Sequence, residues 1–150
     1  MKEFYFAYGS NMFEPRLKAR CGSTEFICRG VLDGYRFCYP LFAEMTGGGV
    51  AGLEPDDNSF VEGVIYQITP QELLDLDRIE RTHLQAYFRR RVTIRTDNNS
   101  SMQVWTYVSN NSGKLYPPTD EYRDFILLGA ENHQLSEAYQ KFLRVVSGCL

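Results

Sequence analysis

The chain reads as an α+β protein, a mixed barrel with a few flanking helices, forming a single domain over residues 1–150. Three observations predict this. Strand-like runs follow one another through most of the chain while helical patterns are few, the order of an α+β rather than an alternating α/β fold. Gly47-Gly48-Gly49 lets the backbone bend sharply, and curved strands with glycine bends favour a closed or nearly closed barrel. A chain of 150 residues with 43% hydrophobic and 23% charged content also suffices for one sizeable core.

Phe4 to Tyr8 is an aromatic-rich run that reads as a buried strand, stopped by Gly9. Residues 12–20 suit a short helix, with Ser10 or Asn11 as its cap and Pro15 confined to the first turn. Phe26 to Leu32 and Tyr35 to Phe42 read as strands joined at Asp33-Gly34, a strong hairpin signal. The three glycines at 47–49 predict a sharp bend or a close backbone approach, and Phe60 to Ile68 alternates as a further strand.

Thr69-Pro70-Gln71-Glu72 is the clearest helix start, combining a capping box with proline at the first helical position. The helix runs to about Glu80, with Leu73, Leu76 and Glu80 at the i, i+3, i+7 spacing of one face. Tyr87 to Thr96 and Met102 to Val108 form a hairpin around Asp97-Asn98-Asn99. Helical patterns at 119–131 and 136–147 close the chain.

A net charge of −3 gives no reason to expect nucleic acid or an anionic membrane as partner. Without a leader-like or membrane-length apolar stretch, the expected location is cytoplasmic. Cys21, Cys28, Cys38 and Cys149 form no C-x-x-C pair, and only His83 and His133 stand ready to join them as ligands. Reduced structural cysteines are therefore expected, with no metal and no cofactor. Both a monomer and a homodimer are compatible with the sequence.

Two features carry chemistry. Tyr8-Gly9-Ser10-Asn11 follows a strand end, where successive N–H groups can form a nest for a carboxylate or oxyanion; a plain turn fits the same residues. Glu80 has two placements. Its spacing from Leu73 and Leu76 turns it inward, while a frayed helix end would leave it in solvent. A carboxylate in a last helical turn opposes the helix dipole at a cost of about 0.3–1 kcal/mol, and burial would raise its pKa toward neutrality, as a general acid/base requires. Ser10 is outside a G-x-S-x-G context and pairs with no recognisable histidine, which argues against a Ser-His hydrolase. Arg89-Arg90-Arg91 places Arg89 and Arg91 on the face of Tyr87, and Arg90 with Phe88 and Val92. Such a run suits a solvated face, with an inward arginine for a substrate carboxylate as the secondary reading.

Phe6-Ala7-Tyr8-Gly9-Ser10-Asn11-Met12, with Arg16 following, resembles the N-terminal signature of the γ-glutamylcyclotransferases. Leu76-Asp77-Arg78-Ile79-Glu80 resembles that family's L-D-x-x-E segment, and Tyr87 follows the glutamate by the family's seven residues. Gly48 to Ala51, Val61 to Tyr66, Pro117 to Tyr122, Gly129-Ala130 and Leu135 to Tyr139 match in the same order. The resemblance covers about residues 4–143.

It implies a mixed barrel with a pocket beside the Tyr8–Asn11 turn, and a small-molecule γ-glutamyl substrate that cyclises to 5-oxoproline with release of its amine. Glu80 would be the general acid/base, and the N–H groups of Gly9, Ser10 and Asn11 would hold the α-carboxylate or the oxyanion. Tyr8, Tyr87, Tyr107 and Tyr122 are candidates for lining the pocket or hydrogen-bonding there, Tyr122 having the strongest support; core packing is the alternative for each. Arg81 stands where the family commonly has glycine, and Thr82 to Ala86 lacks the usual Gly or Pro. Rival readings are a γ-glutamylamine or γ-glutamyl-protected intermediate as substrate, a non-catalytic binding module, and a hydrolase yielding glutamate.

Overall fold

The computed structural model describes residues 2–149, apart from the side chain of His83. Among these residues five strands close a barrel: β1 (Glu3–Ala7), β2 (Glu25–Ala43), β3 (Gly48–Ile68), β4 (Tyr87–Thr96) and β5 (Ser101–Ser109), ordered β1-β3-β2-β4-β5. Only the β1–β5 seam is parallel, where Tyr5 lies opposite Trp105; this seam makes the barrel mixed. Four α-helices flank it: α1 (Glu14–Arg20), α2 (Pro70–Ile79), α3 (Asp120–Asn132) and α4 (Glu137–Val146). Phe6, Phe37, Leu53, Ile65 and Ile94 are fully buried in its core.

The α+β barrel is as expected, and so are the hairpin around residues 97–99 and the two closing helices, capped by Thr119 and Ser136. The Asp33-Gly34 hairpin is not. Residues 25–43 form one strand that pairs along β3, from Glu25 opposite Gln67 to Ala43 opposite Gly48. Gly34, at φ +87°, bends β2 instead of reversing it. Asp33 faces Phe60 and Tyr35 faces Pro55, so β3 takes up the bend in residues 56–59. There the Asp56 carboxylate accepts from the Asn58 N–H and the Ser59 hydroxyl. The true reversal is at 44–47, where the glycine run also brings the backbone close to another segment: the Gly49 N–H donates to Pro117 O at 2.8 Å.

The expected cap of the first helix also shifts. Ser10–Met12 forms a 3-10 turn of its own, so α1 starts at Glu14 with Phe13 in the capping position and Pro15 in the first turn. This turn is fixed from behind by α3. A Cβ added at Gly129 would lie 2.6 Å from the Met12 carbonyl carbon and the Phe13 nitrogen, both backbone atoms with no room to yield. Gly129→Ala is therefore expected to destabilise the protein by about 1–3 kcal/mol, read as a lower denaturant midpoint at unchanged slope.

Candidate active site

Helix α2 delivers Glu80 to the site, and its start is built as the sequence predicts. Thr69 Oγ1 accepts from the Glu72 N–H at 3.1 Å, and the Glu72 carboxylate accepts from the Thr69 N–H at 2.8 Å. The same carboxylate takes both the N–H and the hydroxyl of Ser23, tying α2 to the segment after α1. Leu73 and Leu76 are buried beneath the helix. One turn further on, Glu80 caps the helix, its N–H donating to Leu76 O at 2.8 Å.

Of the two placements open to Glu80, the structure takes the inward one. Its side chain lines a cavity together with Gly9, Ser10 and Asn11, and with Tyr8, Tyr87, Tyr107 and Tyr122. Glu80, the three turn residues and the four tyrosines that the sequence nominated thus border one cavity. Tyr5 and Ala51 complete the wall. Burial pushes the Glu80 carboxyl up to about 7, against the opposing pull of the Arg20 and Arg16 charges.

The turn has donors to spare. Its carbonyls are used, Gly9 O by the Met12 N–H and Ser10 O by the Phe13 N–H, whereas the N–H groups of Gly9, Ser10 and Asn11 have no partner among the described residues. Ser10 Oγ accepts from Arg16 Nε at 3.1 Å, and His133 lies elsewhere, bonded to the Tyr66 hydroxyl and stacked on Phe26.

The tyrosines divide by the fate of their protons. Tyr8 donates to Tyr107 O at 2.7 Å, Tyr107 to the Asp77 carboxylate at 2.7 Å, and Tyr87 to Ala51 O. These three offer the cavity mainly their rings. Tyr122 accepts from the Ala51 N–H at 3.0 Å and Tyr5 accepts from Asn11 Nδ2 at 3.0 Å, so both keep a proton to give. Burial holds all five above the ordinary phenol range, so they stay neutral donors.

Sequence reasoning missed Tyr5, Ala51 and Arg20. For Arg20 a signal existed, the i, i+4 spacing from Arg16 on the first helix. Tyr5 gave none, since alternation makes it a core residue, and Ala51 acts through its backbone. In the Arg89–Arg91 run, Arg89 and Arg91 flank the Trp105 ring at 4.4 and 5.0 Å, and Arg89 pairs with Asp77 at 3.0 Å. Neither borders the cavity, so the run braces the outside of the site.

Arg81 and Gln85 both take the left-handed conformation, at φ 56° and 59°. Arg81 is the residue past the α2 cap, where glycine is favoured because a Cβ is strained there. Its side chain reaches Met45, with Nη2 3.3 Å from the sulfur. No group of three or more His, Cys, Asp or Glu side chains able to hold a metal ion occurs among the described residues, and none of their helices is long and apolar enough to cross a membrane.

The AIG2-like family model matches residues 60–143, more than half of the chain. The chain belongs to this family. Over 146 residues it is 26% identical to the γ-glutamylcyclotransferase of Mus musculus and 27% identical to that of Homo sapiens, covering 95% of this chain and 77% of each relative. A solved structure described as γ-glutamyl cyclotransferase superposes with a TM-score of 0.90 at 25% identity, over 96% of this chain and 87% of that one. By family, fold and relatives the chain is an enzyme of the γ-glutamylcyclotransferase type.

Arg81→Gly should relieve the left-handed strain at the α2 exit. The expected gain is about 0.5–1 kcal/mol, seen as a raised thermal midpoint, after the greater freedom of glycine in the unfolded chain is subtracted.

Proposed function

We propose that residues 1–150 act as one domain that converts a γ-glutamyl amino acid or related γ-glutamyl amide to 5-oxoproline, releasing the amine. One observation carries the reading: a carboxyl group poised near pH 7 borders the same cavity as a turn whose three N–H groups have no partner among the described residues. The reaction needs little more than this.

The substrate carries its own nucleophile, an α-amine that must fold back onto the γ-carbonyl, so holding it in that shape supplies much of the acceleration. At neutral pH the amine is an ammonium with a pKa of about 8 and must first lose a proton. Glu80, ionised, takes it. The nitrogen then bonds to the γ-carbon, and negative charge collects on the carbonyl oxygen. The N–H groups of Gly9, Ser10 and Asn11 face the substrate's anionic groups, and the free protons of Tyr5 and Tyr122 are further donors. Glu80, now protonated, returns the proton to the amide nitrogen, and the γ-carbon–nitrogen bond breaks. The ring nitrogen then gives its second proton to Glu80, which hands it to the departing amine, so the lactam nitrogen keeps one proton, the amine leaves as an ammonium, and Glu80 ends ionised as it began. No water is consumed, which distinguishes the reaction from hydrolysis.

A group with a pKa near 7 suits this double duty because it is a competent base and a competent acid at one pH. Glu80→Gln keeps the shape and removes the proton carrier. It is expected to stay folded and to lose on the order of 10²–10⁴ in rate, read by mass-spectrometric detection of 5-oxoproline from a panel of γ-glutamyl amino acids and amines. A folded Glu80→Gln with full turnover, or glutamate as the product, would overturn the reading.

A further inference from the structure

We propose that Arg16 and Arg20 are positioning residues, which hold the Ser10 and Asn11 side chains and supply the positive field against which Glu80 works. The inference rests on the function proposed above. Its geometry stands without that function.

The two arginines lie one helical turn apart on α1 and point at consecutive residues of the turn. Arg16 Nε donates to Ser10 Oγ at 3.1 Å, and Arg20 Nη1 donates to Asn11 Oδ1 at 3.2 Å. Asn11 passes the restraint on, because its Nδ2 donates to the Tyr5 hydroxyl at 3.0 Å on the cavity wall. Arg16 is further fixed with its guanidinium carbon 4.6 Å from the Phe125 ring centre and 5.9 Å from that of Tyr122. Such an arrangement fixes side chains whose own rotamers would otherwise be free.

Among the described residues neither arginine spends its charge on an ion pair. Among the described residues no carboxylate lies within ion-pair distance of either, and the acidic residue of their own helix, Glu14, pairs with Lys18 instead. Two cations without an ion-pair partner among the described residues, set beside a cavity whose titrating acid is Glu80, favour its ionised form, and the charges of Arg20 and Arg16, in that order, are what oppose the upward push of burial on Glu80. The other groups facing the site are Tyr5, Tyr8, Tyr87, Tyr107 and Tyr122, all held protonated by burial, with Asp77 engaged by Tyr107 and Arg89, and Glu121 acting on Arg16. The field of the two arginines therefore sets the lower edge of the working pH range.

The sign follows. Removing a cation raises the Glu80 pKa further, so more alkaline conditions are needed to form the base. Arg20→Gln should lower kcat/KM at every pH by loosening Asn11, and should lower it roughly ten-fold more at pH 6 than at pH 8.5, which is an acid limb displaced upward by about one unit. Arg20→Lys, which restores the charge without the guanidinium fork, should return the limb to its parental position. An unmoved limb in a folded Arg20→Gln, with loss uniform across pH, overturns the proposal and leaves the arginine a structural or substrate-binding role.

A second readout needs no turnover. A buried acid whose folded pKa exceeds its unfolded one stabilises the fold fully below the unfolded value, here about 4.5, and this contribution is lost as pH rises through the folded value of about 7. The difference in thermal midpoint between Glu80→Gln and the parent marks that window. In an Arg20→Gln background the upper edge of the window should move to higher pH. An edge that does not move contradicts the inference even if 5-oxoproline is never formed, and an edge that moves without product formation sustains the inference while removing the function it was drawn from.

Discussion

A carboxyl group taken out of water governs the arrangement of this site. Glu80 stands where a helix ends, a position that already disfavours negative charge, and it is turned into a cavity walled by tyrosines. Left alone, such a group would simply stay protonated. Two arginines on the neighbouring helix oppose that outcome, so that burial and charge balance near pH 7 instead of at the extremes either would impose. Much of the surrounding structure holds this balance in place.

The holding is done by backbone and tyrosine together. Ala51, on β3, offers its carbonyl to Tyr87 and its N–H to Tyr122, so a strand, the partner hairpin and α3 are fixed to one peptide segment. Tyr107 reaches Asp77 on α2, which in turn is paired with Arg89, so the helix that carries Glu80 is anchored to β4 and β5 a turn before its end. Gly129 lets α3 press against the Ser10–Met12 turn from behind. Each contact spans elements far apart in sequence, as a barrel closing β1 against β5 requires.

What was legible beforehand had local causes. The capping box at Thr69 fixed where α2 begins, and counting turns from it put Glu80 in line with Leu73 and Leu76, one of the two placements the sequence left open. The Asp97-Asn98-Asn99 turn and the two closing helical patterns were equally plain, though their caps at Thr119 and Ser136 came only with the structure. Illegible features depended on partners distant in sequence. Asp33-Gly34 has the local chemistry of a hairpin, yet both flanking segments pair with β3, and the chain bends there because its partner continues. Tyr5 carries no mark separating it from a core aromatic, and its role rests on an asparagine six residues on. Arg81 was visible as a departure, but its physical meaning, a left-handed residue at a helix exit, needed the backbone angles.

The claim on which the rest depends is that the Glu80 carboxyl changes charge near neutrality inside the folded protein. Carbon-13 NMR of side-chain carboxyl groups, with Glu80 assigned by comparison with Glu80→Gln, measures this directly. The account predicts a titration midpoint of about 7 for Glu80. A midpoint at the ordinary glutamate value of about 4.3 would contradict it, because a carboxyl that ionises as it does in water is neither buried in the cavity nor suited to move protons in both directions at neutral pH.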